Sequence, residues 1–248
     1  MKLIDAQFFS KLLRKEYDAE GENMRQQFEE ELNELHIQFF RMGRAVHEAV
    51  QKSVEAFVTH NKQMAQEVID HDIEINKIEM DLEQKCIELI ALQQPVTTDL
   101  RKIITVMKAT SDLERIGDHA VSISKSTIRV KGNKREYDIE KHLSEMSEKV
   151  LYLVRKVMDA YVIFNADEAI RLAEYDQEVD KMGKQIYEES IEFMKSDPEI
   201  VLGATDYVRV TTYLERIGDY VTNICEWIVY LDTGKVIELN THNHLEDI

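Results

Sequence analysis

Apolar residues recur at steps of three and four along most of the chain, which is the pattern of amphipathic α-helices. Period-two alternation, typical of half-buried strands, is almost absent. The first stripe comprises Phe28, Leu32, Leu35, Phe39, Met42, Val46, Ala49, Val50, Val54 and Phe57. The second comprises Met64, Val68, Ile75, Ile78, Leu82, Ile87 and Leu89. The pattern therefore predicts an all-α protein.

Asparagines, prolines and a glycine predict where the helices begin and end. Asn61 and Asn165 suit N-cap positions, since their side chains can accept a hydrogen bond from the first helical turn. Pro95 ends the second helix because it lacks an amide donor and restricts the residue before it. Gly132 is placed to end the third helix, and Pro198 suits the first turn of the sixth. The predicted helices span about 24–59, 61–93, 98–129, 137–164, 165–195 and 198–231.

The string LERIGD occurs at residues 113–118 and again at 214–219, 101 positions later. The only two prolines, Pro95 and Pro198, also fall at matching places. Self-similarity at a nearly fixed period indicates an internal repeat. We therefore expect two pseudo-symmetric antiparallel three-helix bundles. The predicted units are an N-terminal extension 1–23, a first bundle 24–133, a second bundle 134–234 and a C-terminal tail 235–248.

The two ends of the chain lie outside the repeat. Residues 1–23 end in a polar, glycine-containing stretch and are expected to form either a peripheral helix or an extension that the core fold does not need. The tail after Gly234 is expected to be irregular. Its two histidines, His242 and His244, are interpreted as solvated polar residues rather than as a metal site.

The charge balance narrows the choice of partners. With 48 acidic and 31 basic side chains, the formal net charge is -17. Such a surface repels phosphate backbones and anionic lipid headgroups, which disfavours nucleic acid and direct membrane insertion. Cations and basic protein surfaces are the favoured partners.

The cysteines and the hydropathy pattern indicate the compartment. Cys86 and Cys225 are far apart and lack CxxC spacing, so we expect two buried thiols in a reducing cytosol rather than a disulfide or a zinc site. No apolar run approaches about 18 residues, and no signal-peptide pattern opens the chain. These features predict a cytoplasmic protein.

Acidic pairs four residues apart recur in both halves and are the candidate chemistry. On a helix this spacing places both side chains on one face, where like charges repel by a few tenths of a kcal/mol. Gly117 and Gly218 lie inside the same motifs, although a helical glycine costs about 1 kcal/mol relative to alanine. This cost indicates close approach of another helix or a ligand. The eight positions are Asp72, Asn76, Glu114 and Asp118, and their counterparts Asp176, Asp180, Glu215 and Asp219.

Two interpretations of these acids stay open. If the second and third helices of each half lie side by side, the pairs converge on an oxygen-rich site for divalent or iron-type ions such as Fe, Zn, Mg or Mn. Alternatively, the acids lie on solvated faces, where Arg115 or Arg216 neutralises them as ordinary ion pairs. His71 and His119 adjoin the acids but have tyrosines at the matching positions, which favours structural or solvent-facing roles for them.

The run LIALQQPVTTDLRKIITVMKATSDLERIGDHAVSI and its second copy YLERIGDYVTNICEWIVY resemble the PhoU family of phosphate-uptake regulators. The resemblance spans about 24–231 and leaves residues 1–23 as a departure. It implies two three-helix bundles in a cytoplasmic, non-enzymatic accessory protein. Such a protein restrains the ATPase of the phosphate ABC importer and links it to a phosphate-sensing histidine kinase, so that phosphate-starvation genes stay off. The resemblance also implies a homodimer and metal binding through the acidic pairs.

Asn76 departs from the family's acidic pattern, because an amide stands where the second carboxylate belongs. An amide offers one neutral oxygen, so we predict a weaker or smaller ion site in the first half. Two other functions stay open. One is a di-iron carboxylate enzyme, although the Glu-x-x-His motifs that it usually needs on two helices are missing. The other is a structural scaffold whose acids only keep it soluble.

Overall fold

The computed structural model describes residues 6–129 and 134–239, with side chains described from residue 24 onward. Within these ranges the chain forms six α-helices and no strand, which confirms the all-α prediction. A 3-10 turn precedes the last helix. The helices are α1 (Ala6–Thr59), α2 (Lys62–Gln93), α3 (Thr97–Arg129), α4 (Tyr137–Val162), α5 (Ala166–Ser196) and α6 (Val201–Thr233).

The same short turn joins α1 to α2 and α4 to α5. Asn61 and Asn165 cap the following helices, each accepting a backbone N–H bond at 3.0 Å from the residue three positions on. The residues before them, His60 and Phe164, are left-handed, with φ of 55° and 52°. The backbone N–H of each asparagine donates to the carbonyl five residues earlier, which is the 6→1 bond of a Schellman motif. Both predicted caps are confirmed.

Two helix starts differ from the sequence prediction. From Ala6 the extension continues without a break into the bundle, and α1 is 54 residues long. At the other end, Pro198–Ile200 form a 3-10 turn before α6 begins at Val201. Asp197 caps this turn by accepting the Glu199 amide at 3.0 Å. Tightening of this kind is common in the first turn of a helix.

Helix α6 ends at Thr233, two residues after the predicted end at Leu231. Gly234 adopts a left-handed φ of 72°, and its amide donates to the Tyr230 carbonyl at 2.8 Å. Residues 235–239 form no regular helix or strand. The predictions for Gly132, His242 and His244 concern positions outside the described residues.

The six helices pack as two bundles around one continuous core. Helices α1, α2 and α3 contact one another, as do α4, α5 and α6, and α3 lies beside α6 between the bundles. Helix α1 also contacts α4. Buried side chains such as Phe39, Leu113, Val150 and Ile217 belong to a single apolar cluster that includes all six helices. The two LERIGD helices therefore form the centre of the molecule.

Asp112 of α3 ties the two central helices together. It accepts hydrogen bonds from Asn223 Nδ2 at 3.2 Å and from Trp227 Nε1 at 3.1 Å, both on α6. Burial raises the pKa of Asp112 to about 6, although the two hydrogen bonds favour the charged form. Thr105 adds a second link by donating to the Trp227 carbonyl at 3.4 Å. Polar side chains thus fix the register of α3 against α6.

Glu140 centres a second polar network, at the start of α4. Its side chain is buried and accepts from Arg135 Nε at 2.8 Å and from the Tyr207 hydroxyl at 3.0 Å. His60 lies 3.3 Å away from the same carboxylate. Arg135 also donates to the Val58 carbonyl. One carboxylate therefore joins the end of α1 to α4, α6 and the segment before α4.

Candidate metal centres

The four first-half candidates lie where α2 packs against α3. Asn76 Nδ2 donates to Asp72 Oδ2 at 3.3 Å, one turn away on α2. Asn76 Oδ1 is buried and has no hydrogen-bond partner among the described residues. Burial raises the pKa of Asp72, and the charge of Asp118 on α3 raises it further. The acids of the two helices are therefore close enough to repel one another.

The pKa of Glu114 on α3 is raised by burial first and by its acidic neighbours second. Burial raises the pKa of Glu114 to about 7, and the charges of Asp118, Glu79 and Asp72 also raise it. Arg115 opposes the shift, with its nitrogens 3.8 Å from Glu114 Oε2 and 3.6 Å from Asp118 Oδ2. Because the Arg115 side chain is 60% exposed, these long contacts contribute little. Ordinary ion pairing thus exists here but does not balance the cluster.

Glu79 belongs to this cluster, although the sequence analysis did not select it. It accepts a hydrogen bond from Ser111 Oγ at 3.4 Å, across the α2–α3 contact. Burial raises the pKa of Glu79. Its position seven residues after Asp72 places it on the same face of α2, and that spacing was the available signal. The matching residue in the second half is Gly183, so comparison of the repeats hides it.

The second-half candidates lie where α5 packs against α6. Asp176 is only 1% exposed and accepts from Thr222 Oγ1 at 3.3 Å. Burial first, and then the charges of Asp180 and Asp219, together raise the pKa of Glu215 to about 7. The two halves thus repeat the same arrangement, with a half-buried glutamate beside carboxylates from two helices.

Two glycines make room for the second-half acids. A Cβ on Gly218 would overlap Asp176 Oδ1 and lie 3.0 Å from Asp176 Cγ. A Cβ on Gly183 would overlap Glu215 Oε1 and lie 3.1 Å from Glu215 Cγ. The predicted close approach to the backbone is therefore confirmed at Gly218, and the approaching group is a carboxylate.

Gly117, the first-half counterpart, has more space. An added Cβ would lie 3.5 Å from Ile75 Cγ2 and 3.8 Å from Asp72 Oδ1, which are ordinary van der Waals separations. Helix α2 does lie against this glycine, but it leaves room for a methyl group. The glycine requirement predicted from the repeat therefore applies to one copy only.

A family model described as the PhoU domain matches residues 39–127 and 143–228, one stretch in each half. The chain belongs to the PhoU domain family. The two matched stretches contain all eight acidic-motif positions, four in each. Among the helices that the structure describes, none is long and apolar enough to cross a membrane.

Curated relatives match nearly their whole length. A PhoU homolog of Clostridium acetobutylicum is 41% identical over 214 residues, covering 86% of this chain and 97% of the relative. A homolog from Streptococcus pneumoniae is 37% identical over 217 residues, covering 88% and 100%. Both are named phosphate-specific transport system accessory proteins.

Solved PhoU structures share the fold. The phosphate transport system regulatory protein PhoU from Streptococcus pneumoniae has a TM-score of 0.80 and 34% identity, covering 85% of this chain and 99% of that one. PhoU from Pseudomonas aeruginosa has a TM-score of 0.78 and 32% identity, covering 84% and 100%. The predicted PhoU-like pair of three-helix bundles is confirmed.

The donor chemistry of both PhoU clusters fits a hard cation. Every candidate donor is an oxygen, and the glutamates with raised pKa values lie among acids that repel one another. The unbonded Asn76 Oδ1 adds a neutral oxygen in the first half. In the described part of the chain, no three Asp, Glu, His or Cys side chains are gathered closely enough to hold one ion. Binding would therefore require carboxylate side chains to rotate towards one another.

The histidines next to the acids make other contacts. His71 is exposed, and its Nδ1 lies 2.7 Å from the Glu67 carbonyl. The His119 ring lies against the rings of Tyr213 and Tyr220 on α6, with both centroid distances 5.7 Å. His71 therefore faces solvent and His119 has a structural role, as the sequence indicated.

Both cysteines are free and buried, as predicted. Burial raises the pKa of the Cys86 thiol and of the Cys225 thiol, which keeps both protonated near neutral pH. Neither sulfur is therefore a ready metal ligand.

Proposed function

We propose that this chain is a non-enzymatic, cytoplasmic regulator of phosphate uptake that acts by protein contact. Its proposed partners are the ATPase of the phosphate ABC importer and the phosphate-sensing histidine kinase, which it restrains when phosphate is plentiful. Relatives that are 41% and 37% identical carry the name of phosphate transport accessory proteins, which supports this role. We propose that it works as a homodimer.

The doubled carboxylate cluster is the observation that carries the proposal. Two pseudo-equivalent helix pairs present glutamates whose pKa values are raised to about 7 beside further carboxylates. A soluble scaffold would gain more from acids spread over solvated faces, where repulsion is weak. Acids concentrated between helices favour a cation, and a bound divalent or iron-type ion would neutralise them.

The residues that would hold such an ion differ between the halves. In the second half they are Asp176, Asp180, Glu215 and Asp219. In the first half Asp72, Glu114 and Asp118 act with the amide oxygen of Asn76, and Glu79 is close enough to contribute. An ion in either place would link the second helix of a bundle to its third and fix the shape of that acidic face. The proposed role of the metal is therefore to order a contact surface.

A pull-down from an extract of the protein's own organism tests this function. Full-length protein is used as bait with and without a strong chelator, and the importer ATPase and the sensor kinase are detected by immunoblot. We expect both to be retained in the absence of chelator and released in its presence, because loss of the ion would disorder the acidic face. Glu145→Ala, an exposed change on α4, is the matched control and should bind normally.

Three results contradict parts of the proposal. Retention that survives chelation would leave the regulatory role standing and exclude the role of the metal. Retention by the wild type that is lost in Glu145→Ala would mean that general surface charge decides binding. Failure to retain either partner in both conditions would exclude the regulatory role.

A further inference from the structure

An open cleft lies between the second half of α1 and the end of α4. Its volume is about 640 Å³, within the range of about 300–1,000 Å³ that is usual for small-molecule sites. Arg41 and Arg44 of α1 line it together with Lys102 of α3. The turn after α4 closes the other side with Phe164.

The charge of this cleft is opposite to that of the whole chain. Of the described residues, three cations and no acidic side chain line it, although the chain carries 48 acidic residues. Among the described residues, Arg41 and Arg44 make no ion pair within 4 Å, although the charge of Arg44 helps to lower the pKa of Glu48 on the next turn of α1. Lys102 Nζ lies 3.5 Å from Asp99 Oδ1 beside the cleft. Two guanidinium groups one helical turn apart suit phosphate oxygens, which they bind through paired hydrogen bonds.

The walls of the cleft are aromatic and apolar, and Phe40 of α1 is one of the residues that line it. The rings of His36 and Phe164 meet nearly edge to face, with centroids 5.8 Å apart. Burial and, to a smaller extent, the charge of Lys102 together lower the pKa of His36 to about 4, so this ring is neutral near pH 7. Its Nδ1 lies 2.6 Å from the Tyr161 hydroxyl, which fixes the ring in place. Ile37 is 47% exposed at the rim.

The pseudo-equivalent place in the other half is filled by the chain itself. There Glu140 occupies the position that matches His36, and His60 occupies the position that matches Phe164. Arg135 closes that place by donating to Glu140 at 2.8 Å and 2.6 Å. Among the described residues, the α1–α4 cleft is lined by cations and by no carboxylate, so an external anion would complete it.

We propose that this cleft binds a ligand of the nucleotide class, with an aromatic base against Phe40 and Phe164 and the phosphates on Arg41 and Arg44. Aromatic walls favour a flat ring, and the adjacent guanidinium groups favour a phosphate chain. The α1–α4 cleft is separate from the carboxylate clusters, so this site goes beyond the proposed regulatory function and does not depend on it.

Isothermal titration of the full-length protein with ADP tests the site, with adenosine and inorganic pyrophosphate as partial ligands. We expect ADP to bind more tightly than either, because only ADP offers both ring and phosphates. In the double variant Arg41→Ala, Arg44→Ala the affinity for ADP should fall at least about tenfold, since two charge-assisted contacts are lost. Both arginines are exposed, so the variant should fold.

Arg171→Ala removes an exposed arginine of α5 and is the matched control, which should bind ADP like the wild type. Absence of ADP binding would overturn the proposal, as would equal affinity in the double variant. Pyrophosphate binding as tightly as ADP would reduce the cleft to a plain anion site, and adenosine binding as tightly as ADP would remove the role of the arginines. Either result would also overturn it.

Discussion

Replacing Glu140 with alanine will destabilise the protein by about 1–3 kcal/mol, because hydrogen-bond partners of a buried carboxylate lose their acceptor, while the 40% exposed Arg135 side chain can still be solvated. The change leaves Arg135 without its carboxylate and removes the acceptor of the Tyr207 hydroxyl. It also releases the contact to His60 at the end of α1. Chemical denaturation followed by circular dichroism measures the loss.

The control for this change lies on the same helix. Glu145 is exposed and pairs with Lys141 at 3.6 Å, so Glu145→Ala should cost less than about 1 kcal/mol. If Glu140→Ala costs no more than Glu145→Ala, the network around Glu140 does not hold α1, α4 and α6 together. Glu140→Gln, which keeps an acceptor oxygen, should fall between the two.

The same substitution in the two copies of LERIGD will have opposite effects. Gly117→Ala should stabilise the protein by about 1 kcal/mol, because the methyl group fits and alanine favours the helix. Gly218→Ala should destabilise it by about 1–2 kcal/mol, because the methyl group overlaps the buried Asp176 carboxylate and overpacking outweighs the gain in helix propensity.

Each glycine variant is the matched control for the other, since motif, helix position and substitution are the same. Thermal and denaturant unfolding of both variants and of the wild type measures whether each substitution raises or lowers the free energy of unfolding. Two changes of equal sign and size would mean that the second-half carboxylate does not pack against Gly218 as described.

Local signals in the sequence were enough to predict the six helices and the caps at Asn61 and Asn165. Asn61 and Asn165 act through bonds that reach only three residues along the chain, so each cap can be read from its neighbours. The repeat then supplied the topology, because matching halves imply matching bundles. The start of α1 was harder to predict, since Gly21 lies in a polar stretch and yet the helix continues through it at a cost of about 1 kcal/mol.

The parts that the sequence analysis missed depend on contacts between distant residues. Arg135, in the segment before α4, donates to the carbonyl of Val58 on α1, and periodicity carries no signal for such a bond. Glu79 was hidden because its counterpart is a glycine. Arg41 and Arg44 look like ordinary solvated residues until the structure places Phe164 opposite them. The sequence predicts the helices, but it does not predict which side chains contact one another across different helices.

The central claim is that the two carboxylate clusters are cation sites. Its most direct test is the metal content of the protein after equilibration with metal. Two double variants are compared with the wild type. The first-half variant carries Glu114→Gln and Asp118→Asn, and the second-half variant carries Glu215→Gln and Asp219→Asn. Each protein is incubated with Mn²⁺ or Fe²⁺ and desalted, and its metal content is measured by elemental analysis. We predict that the wild type binds metal and that the variant with all four changes binds none. The second-half variant should lose more metal than the first-half variant, because Asn76 weakens the first-half site. A fourfold variant that binds as much metal as the wild type would contradict the account, as would a wild type that binds none.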